Sequence, residues 1–119
     1  MKKLSLFVAM LALASAVSFA QGKAPGRTFT GEIMDSQCAA MGNHDAGYSM
    51  TGTKTAKECT LACVKAGGKF VLYDPAQKIT YKLDDQEKPK AFAGEKVKVT
   101  GTYDSGTKTI HVEKVEAAK

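Results

Sequence analysis

Cys38, His44, Cys59 and Cys63 lie in one stretch of a 119-residue chain and are the residues best suited to chemistry. Thiols and an imidazole in such proximity have three chemical uses. Two thiols can oxidise to a disulfide, three thiolates with an imidazole can close a Cys3His tetrahedron around an ion, or an unpaired thiol can exchange electrons. Cys59 and Cys63 stand four apart, so on a helix both point the same way. They then form a pincer of the kind that paired histidines make in helical zinc sites. Zinc suits a closed four-ligand set. Copper(I) suits soft sulfur, and Met34, Met41 and Met50 lie in the same segment. Taken singly, Met41 and Met50 read as loop packing residues and His44 as a solvated loop residue. The chain has no Cys-x-x-Cys, which argues against a thioredoxin-like oxidoreductase.

Which use applies depends on the compartment. Lys2 and Lys3 precede an apolar run from Leu4 to Val17, and Ser18-Phe19-Ala20 ends it with small residues at the two peptidase positions. Residues 1–20 therefore read as a signal peptide cleaved after Ala20, leaving a periplasmic or secreted protein with no membrane attachment. Outside the cytosol, thiols tend to become disulfides. The expected bond joins Cys38 to Cys59 or Cys63, and sequence does not decide between them. Closing such a loop stabilises a domain by about 3 kcal/mol in the chain-entropy picture. Three cysteines leave one over, which could link two copies of the chain.

Without the leader, 15 basic residues face 12 acidic ones, a net charge of +3. The lysines between Lys54 and Lys114 are scattered among acids, so nucleic acid is not an expected partner. The length allows one core and no second domain.

The elements that must position the cysteines are short. Residues 21–26 form a flexible N-terminal segment. From Arg27 to Met34 the chain alternates as a strand, with Phe29, Gly31 and Ile33 on one side, and Gly31 marks a bend. Met34 to Gly52 is so often interrupted by Gly, Asn, Asp and Ser that it reads as a long irregular loop. Thr55 and Glu58 have capping-box spacing and open a helix that Gly67-Gly68 ends near Ala66. The period then changes to two. Lys69–Tyr73 and Lys78–Leu83 pair across a turn containing Pro75, and Val97, Val99, Gly101 and Tyr103 lead through Asp104–Thr107 into Ile110, Val112 and Val115. The predicted fold is mainly β: five strands with one short helix after the first, over residues 27–116.

Gly94-Glu-Lys-Val-Lys-Val-Thr-Gly-Thr-Tyr103 with Thr109-Ile-His-Val-Glu-Lys-Val115 resembles the closing hairpin of small OB-like barrels in exported bacterial proteins. The likeness extends to Gly31-Glu-Ile-Met-Asp-Ser-Gln-Cys38, Cys59-Thr-Leu-Ala-Cys63, Gly67-Gly-Lys-Phe-Val-Leu-Tyr-Asp74 and Tyr81-Lys-Leu-Asp84. Together these look like a family of uncharacterised secreted bacterial domains. The resemblance implies an OB-like barrel and no defined activity. The helix is out of place for a typical OB fold, which carries it between the third and fourth strands.

Other chemistry is sparse. His111 reads as a surface residue of the last strand, and Asp84, Asp85 and Glu87 as a solvated turn. The aromatics Phe29, Phe70, Tyr73, Tyr81, Phe92 and Tyr103 read as core and rim of the barrel. No nucleophile elbow, phosphate loop or dinucleotide fingerprint occurs. The sequence thus points to an exported, non-enzymatic binding or structural module stapled through Cys38. A zinc or copper(I) protein built on Cys38, His44, Cys59 and Cys63 is the alternative.

Overall fold

The computed structural model describes residues 26–118. The export signal read at residues 1–20, and all of the flexible N-terminal segment except Gly26, lie outside the described residues. Five strands close into a barrel in the order β1-β2-β3-β5-β4: β1 (Arg27–Asp35), β2 (Phe70–Asp74), β3 (Ile79–Leu83), β4 (Lys96–Asp104) and β5 (Thr109–Ala117). All neighbours are antiparallel except β3 and β5, which run parallel through Lys82↔Thr109 and Leu83↔Ile110. The expected five-stranded, mainly β domain is present, and its predicted strands sit within a residue or two of the observed ones.

Barrel closure depends on strands that curl. At Gly31 a Cβ would stand 2.4 Å from the Tyr73 carbonyl oxygen, so only glycine lets β1 bend this closely against β2. The interior is filled by Phe29, Ile33, Phe70, Leu72, Leu83, Ala93, Val97, Val99 and Ile110.

Alternation stops where β1 meets β2. Ile33, Met34 and Asp35 are all buried in succession, as are Phe70 to Tyr73. The cause is a second core on the outer side of that hairpin. Met34, Val71 and Tyr73 face outward and are covered by Cys38, Ala39, Cys59 and Cys63. The β1–β2 wall therefore separates an ordinary apolar barrel core from a smaller one rich in sulfur.

Three helices form this outer layer, not one: α1 (Ser36–Met41), α2 (Asp45–Thr51) and α3 (Ala56–Lys65). The expectation of a long irregular loop from Met34 to Gly52 is thus corrected. The residues that looked like loop punctuation are helix caps. Asp35 Oδ2 accepts from the backbone N–H groups of Gln37 and Cys38, both at 3.1 Å, and Gly42 closes α1 in the left-handed region at φ 77°. Asn43 Oδ1 accepts from the Asp45 N–H at 3.0 Å, and Gly52 ends α2 at φ 71°. The third helix matches its prediction closely. Thr55 accepts from the Glu58 N–H at 3.2 Å, while Glu58 reaches back to the N–H of Lys54, one residue further than a standard box.

Candidate metal centre

Each cysteine is placed by a local rule. The Asp35 cap starts α1 so that Cys38 falls in its first turn, facing the β1–β2 wall. Four-residue spacing puts Cys59 and Cys63 on the buried face of α3. The three Sγ atoms lie within 4.8 Å of one another, and all three residues are buried. Cys38 therefore meets both helix thiols at once.

No disulfide forms among them, which corrects the expected bond from Cys38 to Cys59 or Cys63. The staple is what an exported address implies for cysteines in a long loop. That segment instead holds itself through two capped helices packed on the sheet, and its thiols meet as a group of three.

The second short helix closes over this group. Gly47 approaches so nearly that a Cβ there would lie 2.5 Å from Cys59 Sγ, 2.8 Å from Cys38 Sγ and 3.8 Å from Cys63 Sγ. Its φ is ordinary, so the glycine is there for space and not for conformation.

His44 stands immediately before α2 and is only 8 % exposed, which corrects its reading as a solvated loop residue. Its Nε2 lies 3.3 Å from Glu32 Oε1, and its ring stacks on Tyr48 at a centroid distance of 5.8 Å. Nδ1 is buried without a hydrogen-bond partner, as is Asp35 Oδ1. A ring nitrogen of His44, an Asp35 oxygen and Cys38 Sγ form a second group within 4.8 Å. The four residues picked out from sequence thus converge as two triads sharing Cys38, with His44 beside Asp35 and not equidistant from all three sulfurs.

The electrostatics are acidic. Burial, reinforced by the Asp35 carboxylate and by Cys59, pushes the Cys38 thiol far above the usual thiol range. Burial and the same carboxylate raise Cys63 as well. At neutral pH these groups are thiols, poor nucleophiles held away from solvent. In metal-free protein, alkylation by iodoacetamide at pH 8 is therefore expected to be at least about tenfold slower than for free cysteine. Because the shift is upward, the rate should begin to rise only at more alkaline pH. Mass-spectrometric time courses in native buffer and in urea check this, and equal rates would contradict it.

The remaining candidates are peripheral. Met34 packs in the sulfur-rich core, but Met41 and Met50 are 50 % and 75 % exposed, so they are neither packing residues nor part of the thiol cluster. His111 is exposed as expected. Its Nδ1 lies 3.0 Å from Asp84 Oδ2 while Asp84 Oδ1 accepts from the Val112 N–H at 2.8 Å, an arrangement that fastens the end of β3 to β5. Asp85 caps the turn before Lys88, whose hydrogen bonds hold its carboxyl down at about 2. Phe29, Tyr81 and Tyr103 form a ring cluster at 5.1–5.7 Å with the Arg27 guanidinium 5.0 Å above Phe29.

Asp35, Glu32 and Gly47 were not singled out as site residues from sequence. Asp35 and Gly47 looked like turn residues, and Glu32 looked like the polar side of a strand. The one available signal was Asp35 three residues before Cys38, the spacing of a helix cap.

Comparison with known proteins reaches only the far side of this arrangement. Residues 64–118 match a family described as "Protein of unknown function (DUF5818)". That span runs from the end of α3 through β5. It leaves out β1, α1, α2 and most of α3, and with them Cys38, His44, Cys59 and Cys63. No curated protein and no solved structure matches the chain.

Proposed function

We propose that this chain is an exported metal-binding module whose primary ligands are Cys38, Cys59 and Cys63. The observation that carries the reading is the convergence of three buried sulfurs within 4.8 Å under the bare backbone of Gly47. Three thiols brought together without a disulfide, with the Asp35 carboxylate and the His44 ring beside Cys38, suit a thiophilic cation. Zinc(II) and copper(I) are the ions whose ligand preferences fit such a set. Binding, and not catalysis, is supported by burial of every thiol and by the upward shifts at Cys38 and Cys63.

Export is supported by the lysine start, the apolar run and the small residues up to Ala20. The strand order, with parallel closure between β3 and β5, supports reading the barrel as OB-like. In this reading the barrel is a rigid support and the helical layer carries the function.

The test is a competition titration of reduced protein with zinc(II) against a chromophoric chelator, and with copper(I) against a copper(I)-specific one. One of the two ions should bind in a form that Cys59→Ser weakens by more than about 100-fold, beyond the loss usual for an outer-shell residue. Weak binding of both ions, unchanged in the variant, would defeat the reading.

A further inference from the structure

Three buried side-chain polar atoms among the described residues have no hydrogen-bond partner: Thr60 Oγ1, His44 Nδ1 and Asp35 Oδ1. The last two belong to residues that are 8 % and 0 % exposed and that group with Cys38. Orphaned buried lone pairs cost roughly 1–3 kcal/mol each, so a native structure seldom keeps them without an occupant. A ring nitrogen of His44 and a carboxylate oxygen of Asp35 lie within 4.8 Å of each other and of Cys38 Sγ, a group that does not include Cys59 or Cys63.

We propose that a second divalent ion binds there, held by His44 Nδ1, Asp35 Oδ1 and the sulfur of Cys38, which bridges the two metals. This rests on the reading of the three sulfurs as the first metal site.

Two further features are built for it. Glu32 Oε1 engages His44 Nε2, which takes that nitrogen as the N–H donor and leaves Nδ1 as a lone pair facing inward. A carboxylate behind a histidine is the usual outer-shell partner of a ligating imidazole. Asp35 divides its oxygens in the same way: Oδ2 accepts the two N–H groups that start α1, and Oδ1 is left over.

Zinc(II), which accepts sulfur, nitrogen and carboxylate oxygen alike, matches the mixed donor set.

Native mass spectrometry of reduced protein titrated with zinc(II) tests the proposal. Wild type should saturate at two ions per chain. His44→Gln and Asp35→Asn should each saturate at one, the latter retaining an oxygen able to cap α1. Backbone amide spectra of the variants establish that they fold. Cadmium(II) NMR of the wild type is independent of any variant: it should give two signals, one in the thiolate-rich range and one shifted toward mixed nitrogen and oxygen ligation. Saturation of wild type at one ion, a single cadmium signal, or two ions retained in folded His44→Gln would overturn the second site. If that single ion is lost in Cys59→Ser, the three-sulfur centre stands without the second ion. No ion in wild type removes both.

Discussion

Alanine at position 47 should destabilise the domain and abolish tight metal binding, although the usual helix rule predicts the opposite. Gly47 lies inside α2 with an ordinary backbone, where replacing glycine by alanine normally gains about 1 kcal/mol. Here the added methyl would enter at 2.5 Å from Cys59 Sγ and 2.8 Å from Cys38 Sγ, closer than side-chain carbons approach sulfur. Either α2 lifts from the layer or the sulfurs are forced apart. Overpacking of this kind costs about 1–3 kcal/mol. The sign of the change in melting temperature therefore separates the two effects. For a domain of this size a loss of about 4–8 °C per kcal/mol is expected, together with loss of zinc or copper(I) affinity in the competition titration. Ser49→Ala, on the exposed side of the same helix, should change neither. A Gly47→Ala protein that melts higher and binds metal normally would show that α2 does not press on the thiols.

The parts of this fold that could be read from sequence are those whose signal repeats. Val97, Val99 and Gly101 alternate with polar neighbours for long enough to define β4, and Thr55 with Glu58 marks the start of α3 before its apolar face is considered. Cys59 and Cys63 are legible on one face for the same reason. Helices α1 and α2 have six and seven residues, less than two turns each, so no periodicity develops. Their caps, Asp35, Gly42, Asn43 and Gly52, use the same residue types as turns, so sequence alone does not tell the two apart. The burial of both Ile33 and Met34 also follows from something no local pattern contains, a second layer on the outer face of β1. His44 pairs with a carboxylate twelve residues earlier on a neighbouring element, which explains how a residue that looks solvated in sequence becomes buried. The compartment argument for a disulfide concerns pairs of thiols, and here packing brings three together. Three sulfurs drawn together by packing present a different chemistry from two.

Removal of metal should loosen the helical layer while the barrel stays closed. Helices of six, seven and ten residues do not persist alone in water; α3 is anchored on the barrel core through Leu61 and Val64, whereas α1 and α2 depend on the smaller core. That core offers them little apolar area: its helical side consists of Cys38, Ala39, Cys59 and Cys63, with Tyr48 at the edge. The barrel has its own interior of larger side chains and a continuous ladder of strand pairs. An ion held by Cys38 and by Cys59 and Cys63 ties α1 directly to α3, and α2 is trapped above them through Gly47. At a free ion concentration 100 times its Kd, binding adds about 2.7 kcal/mol, or about 10–20 °C in melting temperature. Hydrogen exchange should resolve where this stability resides. With a chelator present, the amides of Tyr48 and Gly52, which close α2 on His44 and Tyr48 carbonyls, should exchange at least about tenfold faster, whereas those of Leu72 and Val99 in the barrel should barely change. Uniform acceleration across both layers would mean that the ion stabilises the domain as a whole. Unchanged exchange in α2 would mean that its helices are held by packing alone, and the three sulfurs would then have no part in keeping the layer in place.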